Sequence, residues 1–155
     1  MESQRLVFRE IEADDAAFIV DVRSDPEVYR YFVHPHRITV EEHLNWFYNI
    51  YPHNEKRTDY IAVDKASGER VGVFGLICDD GSAEVNYLII KEYQRRGLAR
   101  EGVECLLDYA ASERGCRRAV AEIHEDNIAS LNLAAKLGFV EHDREGAILY
   151  FEKQL

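Results

Sequence analysis

The sequence predicts an α/β fold of the α+β kind, in which helices flank a sheet. Apolar residues alternate with a period of two in some segments and recur at threes and fours in others, so both strands and helices are expected. Short turn-forming segments join consecutive strands, which favours antiparallel hairpins. The 155 residues include only three prolines and no Gly/Ser-rich linker. One domain over residues 1–155 is therefore predicted.

The first part of the chain predicts one strand and two helices. Residues 5–11 read as a strand. Residues 13–23 read as a helix that Asp14 and Asp15 open, because carboxylates are favourable at a helix N-terminus. A proline at the first position then starts a short helix over 26–32.

A third helix over 39–50 has the clearest start signal. Thr39 and Glu42 form the S/T-x-x-E pattern, in which each side chain accepts a hydrogen bond from the backbone N–H of the other residue. Trp46 and Tyr48 lie off the predicted buried stripe of this helix and are candidates to line a pocket. The stripe consists of Val40, Leu44, Phe47 and Tyr51.

From residue 59 the apolar period changes to two. Turn-like residues at 65–68 and 79–82 separate three strands, and Gly115 and Gly138 end two helices. The predicted elements are strands over 60–63, 71–77 and 83–90, a helix over 98–114, a strand over 118–124, a helix over 128–137, and a hairpin of strands over 139–144 and 147–152.

The charge balance restricts the class of partner. Lys and Arg total 19 against 29 for Asp and Glu, which gives a formal net charge of -10. Such an acidic chain is unsuited to follow the phosphates of a nucleic acid. An amine or a basic peptide is the more natural partner.

The cysteines and histidines predict no metal site. Three cysteines, an odd number without CxxC spacing, indicate a reducing compartment. His34 and His36 are not spaced as a helical ligand pair, and no cysteine accompanies them or His43. Neither a signal peptide nor a membrane span is predicted, so a cytoplasmic protein is expected.

The most informative segment is the turn at residues 94–99, Gln-Arg-Arg-Gly-Leu-Ala, which lies between a predicted strand and a long helix. A helix N-terminus presents free backbone N–H groups, and Gly97 lets an anionic phosphate approach them closely. Arg95 and Arg96 add positive charge. The turn is neither a Walker sequence nor a dinucleotide fingerprint, so it predicts a generic phosphate site.

This turn resembles the Gln/Arg-x-x-Gly-x-Gly/Ala signature of the GCN5-related N-acetyltransferase (GNAT) superfamily. Residues 127–130 and 136–139 are similar to the second block of that superfamily. The resemblance spans essentially the whole chain, and residues 5–12 and 21–28 look like the branch that acetylates ribosomal-protein N-termini. That branch commonly has Glu-Ile-Gly-Tyr before the turn, from which Asn86 departs.

A narrower resemblance lies at residues 38–46, which look like acetyltransferases of nucleotide-linked amino sugars. The resemblance implies a mixed, mostly antiparallel sheet with a splayed strand pair that binds acetyl-CoA. It also implies that the Leu88 N–H acts as the oxyanion donor to the thioester. The residues implied to bind the cosubstrate are Leu88, Ile89, Ile90, Arg95, Arg96, Gly97, Leu98, Ala99, Asn127 and Ser130.

Amine acetylation needs a base, because an alkyl ammonium has a pKa near 10. Glu84 is the first candidate, its alternative being a cross-strand ion pair on an exposed face. Glu122 and His124 are reserve bases. The superfamily's usual tyrosine acid is replaced by Ala134, so Ser130 is the candidate donor to the departing thiolate.

Trp46, Tyr87 and His124 are the candidates to contact the acceptor, although Trp46 is equally a candidate to seal the core. The resemblance implies direct attack of an amine on acetyl-CoA, with a protein N-terminus, an amino sugar or another small amine as acceptor. A nucleotide-linked sugar needs a basic patch, for which Arg23, Arg30 and Arg37 are available. A non-catalytic coenzyme A-binding module is the alternative, and a monomer or homodimer is expected.

Overall fold

The computed structural model describes residues 1–31 and 36–155. Three short 3-10 turns, over 13–15, 51–53 and 91–93, accompany the longer elements. These elements are β1 (Leu6–Glu10), α1 (Ala16–Arg23), α2 (Pro26–Tyr29), α3 (Val40–Asn49), β2 (Arg57–Asp64), β3 (Arg70–Asp79), β4 (Ser82–Ile89), α4 (Leu98–Arg114), β5 (Arg118–His124), α5 (Ile128–Lys136), β6 (Val140–Glu145) and β7 (Ile148–Gln154).

The strands form one seven-stranded sheet in the order β1-β2-β3-β4-β5-β7-β6. Every neighbouring pair is antiparallel except β4 and β5, which run parallel. That parallel pairing covers only residues 82–84 of β4 and 118–120 of β5, whereas β4 pairs with β3 as far as Ile89. The two strands therefore part after Glu84, which confirms the predicted splayed pair.

Helices cover the two faces of the sheet separately. On the α1–α3 face, Ile61 packs in a cluster with Ile19 of α1, and Trp46 of α3 packs against that cluster. On the α4–α5 face, α4 lies so close that a Cβ on Gly102 would be 2.4 Å from Cζ of Phe74. Because side chains alternate along a strand, successive residues of β4 serve opposite faces.

The predicted start of α3 is confirmed, and most of the predicted stripe is at least partly buried, with Val40 as the exception. Thr39 and Glu42 form both hydrogen bonds of the capping box. Val40 is 41% exposed, while His43 is buried and its ring lies 5.5 Å from that of Trp46. Val40 occupies the first turn of the helix, where its side chain lies in solvent. Phe47 of the predicted stripe and Trp46, which was placed off it, both pack against the cluster that contains Ile61.

The other predicted elements are present, with shifted boundaries. The helix predicted over 13–23 begins as a 3-10 turn and becomes α1 only at Ala16. The one predicted over 26–32 ends at Tyr29, and position 32 lies outside the described residues. The strand predicted at 60–63 begins earlier, at Arg57.

Candidate active site

A cleft of about 1800 Å³ passes through the sheet where β4 and β5 part. Its lining comes from both faces, with Trp46 and Arg23 from the α1–α3 side and Ser130 and Gly97 from the α4–α5 side. The predicted site residues that line it are Trp46, Glu84, Tyr87, Leu88, Ile89, Arg95, Gly97, Leu98, Ala99, His124, Asn127 and Ser130.

The turn before α4 contains Gly97 in a left-handed conformation. Gly97 is the residue before the helix, with a φ of 78° in the left-handed region. Arg5 braces this turn, since its Nη1 donates to the carbonyl of Arg96 at 2.8 Å and its Nε pairs with Glu101 at 2.7 Å. The first N–H groups of α4 therefore face the cleft beside a residue without a side chain.

Two of the predicted binding residues lie elsewhere. Arg96 stacks over the ring of Tyr93, 4.8 Å from its centroid, and is not among the residues that line the cleft. Ile90 does not line the cleft either. Gln94, in contrast, lines the cleft, and its side-chain amide donates to the carbonyl of Ile89 at the end of β4 at 2.9 Å.

In β4, the main-chain N–H groups that face the gap belong to the residues on either side of Leu88, the predicted oxyanion donor. The Ile90 N–H donates to the carbonyl of Val71 in β3 at 2.9 Å. Alternate residues of an antiparallel strand turn their N–H groups to the same side, so Leu88 also faces β3. The prediction that the Leu88 N–H faces the thioester is therefore wrong. The N–H groups of Tyr87 and Ile89 are the ones directed at the gap.

Glu84 is the last residue of β4 that pairs with β5. It is half-buried, so the alternative that placed it on an exposed face is wrong. Burial raises the pKa of Glu84, and the nearby charge of Glu122 raises it further, against the opposing effects of Asn86 and Arg57. A carboxylate with a raised pKa is a stronger base than an ordinary one.

The two reserve bases are less suited to that role. Glu122 is exposed. Nδ1 of His124 accepts a hydrogen bond from the Asp126 N–H at 3.1 Å. A neutral imidazole that accepts at Nδ1 carries its proton on Nε2, and no lone pair remains to take a proton from an amine.

Ser130 lies in the first turn of α5, where Asn127 caps the helix. Asn127 Oδ1 accepts from the Ser130 N–H at 3.3 Å, which confirms the predicted N-cap. Oγ of Ser130 is 3.1 Å from Oη of Tyr87, a contact between residues 43 positions apart. Burial raises the pKa of Tyr87, which the hydrogen bond with Ser130 partly offsets.

Sequence reasoning missed an ion pair on the α1–α3 side of the cleft. Nε of Arg57 lies 2.9 Å from Oδ1 of the buried Asp59, and its guanidinium lies 5.5 Å from the ring of Trp46. Tyr51 fixes the strand here, because its Oη accepts from the Asp59 N–H at 2.8 Å. The alternation of Arg57 and Asp59 just before the predicted strand was the available signal.

The predicted basic patch is only partly assembled. Arg23 and Arg30 line the cleft, although Arg30 is also paired with Glu27 at 3.2 Å, and Arg37 is exposed.

Burial lowers the pKa of His43, so its ring is neutral at pH 7.

Neither a metal centre nor a membrane span is found in the described residues. His34, one of the histidines considered as a metal ligand, lies outside them. Within residues 1–31 and 36–155, no three His, Cys, Asp or Glu side chains are grouped to hold a metal ion. In the same ranges, no helix is long and apolar enough to cross a bilayer. The oligomeric state stays a prediction.

Comparison with known proteins agrees with this geometry. The family model described as an acetyltransferase (GNAT) domain matches residues 5–140. An uncharacterized N-acetyltransferase, YoaA of Bacillus subtilis, is 30% identical over 159 residues, which cover 99% of this chain and 88% of the relative.

Two solved structures share the fold. A domain from Methanocaldococcus jannaschii superposes with a TM-score of 0.85 at 24% identity, covering 99% of this chain and 100% of that one. A spermidine N-acetyltransferase from Vibrio cholerae, in complex with CoA and spermine, has a TM-score of 0.84 at 22% identity and covers 97% of this chain and 95% of that one.

These similarities do not separate the branches of the family, so neither narrower resemblance is confirmed. The match over most of the chain, together with the splayed strands, establishes the family itself. The chain belongs to the GNAT acetyltransferase family and is an enzyme of the acyl-CoA N-acyltransferase class.

Proposed function

We propose that this enzyme transfers the acetyl group of acetyl-CoA to a primary amine of a small molecule, by direct attack of the amine on the thioester. The observation that carries the proposal is the parting of β4 and β5 directly after the half-buried Glu84. Burial raises the pKa of Cys105 and raises that of Cys78 to about 11, so these thiols are protonated and poor nucleophiles. Direct attack without a covalent enzyme intermediate is the simpler route.

The α4–α5 half of the cleft fits the cosubstrate. A pyrophosphate suits the N-terminus of α4, where Gly97 leaves the backbone open and Arg95 lines the cleft. Beyond it, the main-chain groups of Tyr87 and Ile89 are available to pair with the pantetheine amides as an added strand would. The Vibrio cholerae neighbour, whose structure contains CoA, supports this choice of cosubstrate.

In the proposed reaction, the side chains work from opposite faces of the sheet. Glu84, on the α1–α3 side, accepts the proton of the attacking amine. A main-chain N–H of β4 that faces the gap stabilises the oxyanion of the tetrahedral intermediate. Ser130, on the α4–α5 side, donates a hydrogen bond to the departing sulfur.

We propose a small cationic amine as the acceptor. Glu84 and Glu122 are close enough for the charge of one to raise the pKa of the other, so a second positive charge on the acceptor is favourable here. The Vibrio cholerae neighbour is a spermidine N-acetyltransferase, which supports a polyamine-like acceptor. Arg57 and Trp46 favour a second candidate, an amino sugar carried on a nucleotide, whose phosphate and base those side chains suit.

Thiol release from acetyl-CoA with a panel of amines tests the proposal. The panel contains spermidine, a peptide with a free N-terminus, and a nucleotide-linked amino sugar. Turnover with spermidine but not with the other two supports the first candidate. Turnover with the nucleotide-linked amino sugar but not with spermidine supports the second candidate. Turnover with the peptide alone, or no turnover with any amine, contradicts the small-amine proposal.

A matched pair of glycine variants tests the cosubstrate site. Gly97→Glu fills the turn with a side chain and a negative charge, so affinity for acetyl-CoA should fall at least a hundredfold. Gly146→Glu introduces the same residue at another left-handed position, with open space around it and outside the cleft lining. Calorimetric titration should show normal affinity for Gly146→Glu, and normal affinity for Gly97→Glu would refute the phosphate assignment.

A further inference from the structure

The hydroxyl groups of Tyr87 and Ser130 form a hydrogen-bonded pair in which one O–H group is left over. The two oxygens are 3.1 Å apart, and either group is able to donate in the bond between them. Two hydroxyls hold two hydrogens, and one shared bond uses only one of them. One O–H therefore remains for a third partner, and both side chains line the cleft.

The acidity of the two hydroxyls decides which of them faces that partner. Tyr87 lies on β4 with its ring stacked on the fully buried Phe74, their centroids 6.0 Å apart. Burial also raises the pKa of the phenol, so it keeps its proton at neutral pH. Ser130 is in the first turn of α5. Both side chains are half-buried. A phenol is a stronger acid than an alkyl alcohol and is the better hydrogen-bond donor, so Tyr87 donates to Ser130 and the serine hydrogen is left for a ligand.

We propose that Tyr87 is a positioning residue for the leaving sulfur, because its O–H occupies the Ser130 oxygen and aims the serine O–H at the thioester. This inference rests on the proposed acetyl transfer. It gives Tyr87 a part in the chemistry through its hydroxyl, in place of the acceptor contact that the sequence predicts.

Bonds and protons are conserved in the proposed transfer. The acceptor arrives as an ammonium, and Glu84 takes one proton from it to give the neutral amine. The amine nitrogen then forms a bond to the thioester carbon, and its second proton passes to water in the cleft. When the carbonyl re-forms, the C–S bond breaks and its electron pair stays on sulfur. Ser130 donates a hydrogen bond to this thiolate, which takes its proton from water in the cleft as the thiol leaves. The phenol keeps its own proton, since it is a weaker acid than an alkyl thiol.

Ala134 lies one turn further along α5, on the same face as Ser130, and brings no hydroxyl to this part of the cleft. The hydrogen bond to sulfur therefore depends on Ser130, and its direction depends on Tyr87. A tyrosine ring anchored by Phe74 holds that direction at low entropic cost, because the ring is already fixed in the core.

A double-mutant cycle tests the proposal. Tyr87→Phe keeps the ring and removes the hydroxyl, and it should lower kcat about tenfold while the KM for acetyl-CoA stays the same. Ser130→Ala should lower kcat more. Adding Tyr87→Phe to Ser130→Ala should have no further effect, whereas in Ser130→Thr, which keeps a hydroxyl, the tenfold effect of Tyr87→Phe should return.

Tyr109→Phe is the matched control, because this half-buried tyrosine of α4 packs on the same core but does not line the cleft. It should leave kcat unchanged. Thermal melts identify any variant that fails to fold. If Tyr87→Phe folds poorly, the comparison of kcat between Ser130→Thr and Ser130→Ala tests whether the hydroxyl at position 130 is needed. Equal kcat in that pair, additive effects in the cycle, or a folded Tyr87→Phe with normal kcat would overturn the inference. Lack of turnover by the unmodified enzyme would instead overturn the proposed function.

Discussion

Replacing the base tests the catalytic assignment most directly. Glu84→Gln keeps the size of the half-buried side chain and removes its ability to take a proton. An alkyl amine with a pKa near 10.4 is neutral in only about one molecule in a thousand at pH 7.4. Without the base, the enzyme depends on that neutral fraction. We therefore expect kcat/KM for the amine to fall about a hundredfold to a thousandfold at pH 7.4.

The pH dependence carries the sharper test. The neutral fraction of the amine grows about tenfold per pH unit, so the defect of Glu84→Gln should shrink towards pH 10. In the unmodified enzyme, activity should be lost as pH falls through the raised pKa of Glu84, because the protonated carboxyl accepts no further proton. Glu122→Gln removes one of the causes of that raised pKa and should move this loss to lower pH.

Thiol release at saturating acetyl-CoA measures these profiles, and Glu113→Gln, an exposed substitution in α4, is the control for loss of an acidic side chain. A Glu84→Gln rate within threefold of normal at pH 7.4, or a defect independent of pH, would refute the assignment. Loss of activity in Glu122→Gln with normal activity in Glu84→Gln would assign the role of base to Glu122 on β5.

Two further predictions concern stability. Gly102→Ala places a Cβ 2.4 Å from Phe74, and the overpacking cost of about 1–3 kcal/mol should exceed the helix-propensity gain of about 1 kcal/mol. Its melting temperature should fall, while Ser112→Ala on the exposed side of α4 should not lower it; an unchanged Gly102→Ala melt would mean that the helix shifts freely. Asp15→Asn weakens the pair with Arg9, whose nitrogens lie 2.7 Å from the buried carboxylate, and should cost about 2 kcal/mol at pH 7 by denaturant titration. Burial alone raises the pKa of Asp15, but its hydrogen bonds hold it below the usual range, so this stabilisation is full above pH about 4 and lost as pH falls through the lowered pKa. A deficit that persists unchanged at low pH would contradict this account.

Local signals predicted the parts of the fold that depend on neighbouring residues. Thr39 and Glu42 are three positions apart, and the same capping box is present in the structure. Gly97 stands directly before α4, as the turn at residues 94–99 predicted. Asn127 predicted a helix cap within its own turn.

The remaining features depend on contacts between distant parts of the chain. The direction of the Leu88 amide depends on the register between β3 and β4, which a period of two leaves undetermined. The pairing of Tyr87 with Ser130 depends on how α5 packs beside the gap. The reserve base His124 is a local exception, because its Nδ1 accepts from the Asp126 N–H two residues further on, a hydrogen bond that the period of the strand does not reveal.

The cleft has lining residues on both faces of the sheet, beside α4 and α5 on one face and beside α1 and α3 on the other. In the proposed reaction, acetyl-CoA occupies the half beside α4 and α5, the acceptor occupies the half beside α1 and α3, and the two meet where β4 and β5 part. A compound that fills the acceptor half alone should lower the rate without competing with coenzyme A. An inhibitor that joins both substrates, by contrast, needs a linker thin enough to thread the sheet beside Glu84.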